Sequence, residues 1–202
     1  MQIVGRWAVA AGALTLMSAE VHANPVSLHD AIELGDPDAV PRILSAGAEI
    51  DAVGPEGEPP LVSAALRGQT DIVRLLVEAG ADPSARTDRG LTALHAAAFA
   101  GHHEIAAILI ANDTVLNDNA NRFGIAPLHA AAEENNAEIV ALFLNAGADV
   151  ELTERNGYSP ATRAGWREHW EIVRMLKTAG AECQPEALVG DWLYRHCTEL
   201  PE

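Results

Sequence analysis

Basic residues are scarce in this sequence. Its 202 residues include 13 lysines and arginines against 29 aspartates and glutamates, which gives a formal net charge of −16 at pH 7. Nucleic acids and anionic membranes both require a basic contact surface, so this balance argues against either as a partner. It favours a protein partner that is itself basic or basic-rimmed, mainly because opposite charge speeds the encounter.

The common sequence motifs of catalysis are also missing. The chain holds no G-x-S-x-G, no P-loop, no G-x-G-x-x-G and no H-E-x-x-H. Each of these motifs places a nucleophile, a phosphate cradle or a metal-bound base in a known local structure. We therefore predict a non-enzymatic protein that needs no cofactor and no metal.

A long apolar run occurs only near the N-terminus. Residues 7–19 are apolar and follow Arg6. This run is short for a membrane span of ~20 residues but fits the ~7–15 residues of a signal-peptide core. Val21 and Ala23 then place small residues at −3 and −1 of a cleavage site. We predict a signal peptide at residues 1–23, cleavage after Ala23 and a periplasmic or secreted protein without membrane contact, with an uncleaved anchor as the alternative.

Cysteine occurs only twice, at Cys183 and Cys197, and His196 adjoins the second. In an oxidising compartment this pair favours a disulfide, and closing a ~15-residue loop contributes ~3 kcal/mol in the loop-entropy model. A bridge requires Cα atoms within ~7 Å, whereas one straight helix would separate them by ~21 Å. We therefore predict a reversal at Gly190, with Asp191 as the N-cap of a short final helix.

The alternative for the same three side chains is a metal- or redox-active periplasmic protein. Structural zinc takes four ligands, more than Cys183, His196 and Cys197 supply, and the sequence has no C-x-x-C motif for redox work. The disulfide is accordingly the first prediction and the metal or redox site the second.

What the sequence does contain is one unit repeated along the chain. Two copies read GLTALHAAAFAGHHEIAAIL and GIAPLHAAAEENNAEIVALFL. Four copies share a turn glycine, at Gly57, Gly90, Gly124 and Gly157, and these glycines recur at intervals of 33, 34 and 33 residues. A period of 33 with a T-P-L-H-x-A signature is typical of ankyrin repeats, and the chain resembles that family over residues 27–182.

The resemblance implies an all-α repeat fold, an ankyrin-repeat solenoid of helix-turn-helix units with β-turn fingers. We expect the ankyrin-repeat domain at residues 24–182, with repeats at about 27–56, 57–89, 90–123, 124–156 and 157–182. Because a solenoid exposes an apolar face at its end, residues 183–202 are expected to form a C-terminal cap with a capping helix. Leu188, Trp192 and Leu193 are spaced to cover the last repeat.

The second helix of each unit carries its own physical signals. An acidic residue stands at each start, where the helix dipole favours an anion by ~0.3–1 kcal/mol. Most of these helices end at a glycine, where the chain needs a positive φ. The acids are Asp38, Asp71, Glu104, Glu138 and Glu171, and the glycines are Gly47, Gly80, Gly147 and Gly180.

Histidine is a common metal ligand, but His95 and His129 occupy the signature position of the repeat and lie one repeat apart. In the ankyrin family this histidine is structural and bonds within and between repeats. The resemblance therefore implies that neither is a metal ligand.

In the ankyrin family, partners bind the fingers and the exposed face of the first helices. Aromatic residues dominate interface hot spots, and four of the eight aromatics beyond residue 23 fall at such positions. We predict an aromatic strip with an acidic rim on the concave face of units three to five, the alternative being that these rings pack against the next repeat. The predicted protein-binding residues are Leu91, Phe99, Phe123, Ile125, Glu133, Glu134, Tyr158 and Trp166.

Together these expectations describe a monomeric protein-interaction module of the periplasm. An inhibitor or immunity protein against a secreted or periplasmic protein is one concrete form, and an accessory protein of stress-defence enzymes is another. The residues do not choose between them.

Overall fold

The computed structural model describes residues 27–112 and 114–201, so the predicted signal peptide lies outside the described residues. Within them the chain forms twelve helices and no strands. The helices are α1 (Leu28–Leu34), α2 (Ala39–Ser45), α3 (Pro60–Leu66), α4 (Thr70–Glu78), α5 (Ala93–Ala100), α6 (His103–Ile110), α7 (Pro127–Glu133), α8 (Ala137–Asn145), α9 (Pro160–Trp166), α10 (Trp170–Thr178), α11 (Glu186–Val189) and α12 (Asp191–Glu199).

Helices α1 to α10 form five helix-turn-helix pairs that stack in order. The first helix of each pair packs on the first helix of the next, and the second helices form a parallel row behind them. Each pair contacts its neighbours along the stack, which is the geometry of a repeat array. The predicted all-α repeat solenoid is confirmed.

The two rows of helices differ in the buried side chains that they contribute, although both supply large ones, such as Leu94 and Leu128 of the first helices. The first helices contribute fully buried alanines such as Ala97 and Ala131, which allow close stacking. The second helices contribute larger side chains, for example Ile139, Val140 and Phe143 of α8. Each larger side chain contributes roughly 1.5–3 kcal/mol when it leaves water, so stacked repeats stabilise one another.

The signals predicted at the ends of the second helices are present. Asp71, Glu104, Glu138 and Glu171 lie in the first turns of α4, α6, α8 and α10, and Asp38 precedes α2. Gly47, Gly80, Gly147 and Gly180 all have positive φ. These local rules therefore locate the second helices correctly.

The C-terminal cap is two short helices, α11 and α12, that reverse direction at Gly190. That residue has φ 83° and ψ 156°, and this left-handed φ breaks the helix as predicted. The N-cap prediction was wrong by one residue: Gly190 itself is the N-cap of α12, and Asp191 is its first residue. The reversal brings the Cα atoms of Cys183 and Cys197 to 5.8 Å, and the predicted disulfide joins them.

The side chains that cover the last repeat differ in part from the prediction. Leu193 and Cys197 are buried, with Leu193 against Gly165 of α9. Leu188 is exposed, and Trp192 is half exposed with its ring edge on Trp170 of α10. The helical spacing from 188 to 193 failed as a guide because Gly190 separates these residues into two helices.

The helices described here are short. Over residues 27–112 and 114–201, none is long and apolar enough to cross a membrane.

Candidate functional site

The turns before the first helices form the fingers, at residues 54–58, 87–91, 121–125 and 154–158. Successive fingers are joined through their backbones, with N–H···O distances of 3.1, 3.1 and 2.9 Å from Asp88 to Gly57, from Arg122 to Arg89 and from Arg155 to Phe123. At Gly90 the φ is +85°, and a Cβ there would lie 2.8 Å from the Cα of Asn121. Only glycine permits this approach, so the fingertips lie in one continuous row.

Two buried histidines, one in α5 and one in α7, each bond to the finger that follows their own repeat. The Nδ1 of His95 accepts from Thr92 N–H at 3.2 Å, so its Nε2–H donates to the carbonyl of Ile125 in the next finger at 2.8 Å. His129 bonds in the same way to Ala126 N–H and the Tyr158 carbonyl, at 3.2 and 3.1 Å. Burial lowers the pKa of His95 and lowers that of His129 to about 4, so both rings are neutral near pH 7.

The predicted aromatic strip divides into two kinds of side chain. Phe99, at the end of α5, is 55% exposed and Phe123, at a fingertip, is 40% exposed. Tyr158 is half-buried and meets Trp166 edge-to-face, with ring centroids 4.2 Å apart. Trp166 is also 42% exposed, so Phe99, Phe123 and Trp166 all project into solvent. Tyr158 is the half-buried ring of the four, and it contacts Trp166 within one repeat.

The two apolar residues that follow the turn glycines are half-buried. Leu91 donates its N–H to Thr87 Oγ1, and the Ile125 carbonyl accepts from His95. Their backbones shape the fingers, and part of each side chain remains accessible beside the aromatic residues. A role in binding for these two residues stays a prediction.

The two neighbouring glutamates of the predicted acidic rim differ in their surroundings. Glu133 forms ion pairs with Arg163 and Arg167 of the next repeat, the second at 2.8 Å, while Glu134 is exposed. Partial burial would raise the pKa of Glu133, but the hydrogen bonds from Arg167 and Arg163 outweigh it and hold that pKa below its ordinary value. Glu133 thus links α7 to α9, and Glu134 alone is placed as a free rim charge.

We expect Glu133→Gln to lower the free energy of unfolding by about 1–2 kcal/mol, because Arg163 loses a charged partner in a site where both side chains are only about one-fifth exposed. Glu134→Gln is the matched control and should change stability by less than about 0.5 kcal/mol. Urea unfolding of both variants measures the difference. Equal effects of the two substitutions would contradict the structural role of Glu133.

Gln184 is a site residue that the sequence patterns did not indicate. Its amide N–H donates to the Gly157 carbonyl at 2.7 Å, and its Oε1 accepts from Ser159 N–H at 3.0 Å and from the Thr162 hydroxyl at 2.5 Å. The bond to the Gly157 carbonyl thus replaces the backbone bond that the other fingers receive from the next finger, while the other two bonds satisfy the start of α9. No motif marks a lone glutamine after the last repeat; only its position beyond the final helix pair was available as a signal.

The side chains of the alternative metal or redox site have other partners. Cys183 and Cys197 are bonded to each other. The ring of His196 packs against those of Trp170 and Trp192, at centroid distances of 5.3 and 4.6 Å, and the two indole rings also contact each other at 5.7 Å. Within residues 27–112 and 114–201, no group of three or more His, Cys, Asp or Glu is placed to hold a metal ion. The cap thus combines a covalent link with an aromatic stack.

Comparison with known proteins identifies the repeat. A family model described as ankyrin repeats (3 copies) matches residues 28–120 and 112–187. A probable E3 ubiquitin-protein ligase, XBOS33 of Oryza sativa subsp. japonica, is 41% identical over 51 residues. Those residues are 25% of this chain and 10% of the rice protein, so the chain spans about a tenth of the length of this relative.

Proposed function

Because the chain belongs to the ankyrin-repeat family, we propose that it is a non-enzymatic protein-interaction module of the periplasm. Residues 1–23 would direct it there and be removed after Ala23. The binding surface is the finger face, which we define as the fingertips together with the C-terminal ends of the first helices. An inhibitor, an immunity protein and an accessory protein of stress defence are the forms this module could take.

The exposure of Phe99 and Phe123 is the observation that supports the proposal. Phe99 lies at the end of α5 and Phe123 lies in the fingertip that follows this helix pair, and they are 55% and 40% exposed. Exposed aromatic area is costly in water, and aromatic side chains are the residues that most often anchor protein interfaces. Trp166, which is 42% exposed, and the half-buried Tyr158 that it contacts add apolar area in the fifth repeat.

The net charge of −16 supports a partner that is basic or has a basic rim, since charge of opposite sign steers the approach of two proteins. A single chain presenting this face is expected to be a monomer. The ligase activity named for the rice protein is not part of the proposal, because the match covers a tenth of that protein.

The proposal is tested by affinity capture from a periplasmic extract of the source organism. We expect Phe99→Ala combined with Phe123→Ala to reduce capture of the partner by at least about tenfold, since two truncated anchors cost roughly 1 kcal/mol or more each. The control combines Val115→Ala and Leu188→Ala, two exposed apolar residues of an outer loop and of the cap.

Equal capture by the two double variants, with circular dichroism unchanged, would show that the finger face is not the binding surface.

Two further measurements test the other parts of the proposal. N-terminal sequencing of the exported protein tests cleavage after Ala23, and sedimentation tests whether the protein is a monomer.

A further inference from the structure

Three arginines stand at the tips of successive fingers. Arg89, Arg122 and Arg155 are all exposed. The N–H of Arg122 donates to the carbonyl of Arg89, and the N–H of Arg155 donates to the carbonyl of Phe123, the residue after Arg122, so the three arginines follow one another on successive fingertips. Among residues 27–112 and 114–201, no ion pair or hydrogen bond occupies their guanidinium groups. We call these three side chains the arginine row.

The arginines on the opposite side of the molecule are arranged differently. Arg42, Arg74 and Arg174 lie on the second helices, and each forms an ion pair with an acidic neighbour, at 3.7 Å to Asp36, at 3.1 Å to Glu104 and in a shorter contact to Glu171. In a chain with a net charge of −16, the outer arginines are therefore neutralised locally while the arginine row keeps its charge free.

The arginine row also adjoins the exposed aromatic residues. Phe123 follows Arg122 in the same fingertip, and Phe99 ends the first helix of the repeat between Arg89 and Arg122. Arginine and aromatic side chains are together the residue types most enriched in interface hot spots. A guanidinium group also binds a carboxylate through two parallel hydrogen bonds, which a lysine cannot do.

We propose that the arginine row binds an acidic peptide segment of the protein partner, with carboxylates on the guanidinium groups and apolar side chains on Phe99 and Phe123. This inference rests on the proposed function and specifies the chemistry of the same face. It is compatible with a basic rim on the partner, because the rim would face the acidic remainder of the molecule.

A peptide fits this surface better than a nucleic acid does. The acidic side chains of Glu56, Asp88 and Glu134 flank the row and are exposed. A continuous phosphate backbone would have to pass over them, whereas a short acidic segment needs to touch only the three arginines.

The experiment measures binding of a fluorescein-labelled deca-glutamate peptide to the full chain by fluorescence polarisation at low salt. The test variant is R89Q/R122Q/R155Q, which removes three charges and keeps most of each side-chain stem. The control is R42Q/R74Q/R174Q, which changes the net charge by the same amount on the outer helices. A labelled ten-nucleotide oligothymidylate is measured in parallel.

We expect the wild type and the control to bind deca-glutamate equally and the test variant to bind about tenfold more weakly, an effect that salt diminishes. No binding by the wild type, equal binding by both variants, or tighter binding of the oligothymidylate would each overturn the proposal. This probe does not depend on the natural partner, so loss of partner capture in the phenylalanine experiment and loss of peptide binding here are separate outcomes. Because all six arginines are exposed, unchanged thermal unfolding of both variants is expected and is checked first.

Discussion

Acidification from pH 6.5 to pH 4 should destabilise the protein by about 3 kcal/mol through His129 alone. The ring is fully buried and its pKa in the folded protein is about 4, against about 6.5 in an unfolded chain. Above pH 6.5 both states hold a neutral ring, and the stability is complete. Between pH 6.5 and 4 the ring is protonated in the unfolded state but stays neutral in the folded state. The free energy of unfolding therefore falls by about 1.4 kcal/mol per pH unit.

The main physical reason is burial, which removes a charged imidazolium ring from water and so lowers the pKa of His129. The hydrogen bond at Nδ1 also requires the neutral ring. Nδ1 of His129 must accept from Ala126 N–H, and a protonated imidazole has no lone pair for this bond. His95 has the same arrangement with Thr92 N–H, and burial lowers its pKa in the same direction. The two histidines therefore add to one another's acid sensitivity.

Urea unfolding of the wild type and of His129→Gln at several pH values between 4 and 7 measures this effect. The variant should be less stable at pH 7 but should show a shallower dependence on pH, since the carboxylates titrate in both proteins. His103→Gln, on an exposed position of α6, is the matched control and should keep the wild-type dependence. If the free energy of unfolding depended on pH in the same way in the wild type and in His129→Gln, His129 would not be the source of the acid sensitivity.

Loss of the Cys183–Cys197 disulfide should lower the free energy of unfolding by about 3 kcal/mol. The bridge closes a loop with a sequence separation of 14, and constraint of the unfolded chain by such a loop gives this magnitude. The effect is expected to be concentrated in the cap, because α12 is the element that the bridge ties to the last repeat. Hydrogen exchange should accelerate in α11 and α12 before it does in α7 or α8.

The cap retains noncovalent contacts after reduction. Lys177 Nζ donates to the carbonyls of Cys197 and Leu200, each at 2.8 Å, and Leu193 remains buried against α9. We therefore expect loosening of the cap without loss of the helix pairs that precede it.

Comparison of the oxidised wild type with a Cys183→Ser, Cys197→Ser variant by denaturant unfolding tests this prediction. Reductant should destabilise the wild type and leave the double variant unchanged, which separates the bridge from other effects of the reagent. If the free energies of unfolding of the oxidised wild type and the double variant differed by less than about 0.5 kcal/mol, the predicted stabilisation by the disulfide would be wrong.

The fold could be predicted from the sequence because its signals are local and recur. A helix-start acid and a helix-end glycine, such as Glu138 and Gly147, mark the ends of a second helix without any knowledge of its neighbours. The buried stripe between them then defines the face that must be covered. The acid recurs five times and the glycine four times, so the pattern is clear although α6 lacks the glycine.

The candidate site could be predicted only in outline, because its properties depend on contacts between repeats. Whether Glu133 is a free charge depends on Arg163 and Arg167, which lie one repeat away. A contact within one repeat matters as well, because the half-buried state of Tyr158 depends on Trp166 at the end of α9. Spacing gives the position of each residue in its repeat but not the direction of its side chain.

Gln184 has a consequence for how the molecule behaves at high concentration. A stack of similar units resembles a growing polymer, in which any unit with unfilled bonds at its end can accept another molecule. The glutamine occupies the Gly157 carbonyl, Ser159 N–H and the Thr162 hydroxyl, so this end behaves like a polymer chain stopped by a terminator. We expect this amide side chain, next to the disulfide that anchors the cap, and Leu193 of α12 to oppose end-to-end growth into filaments.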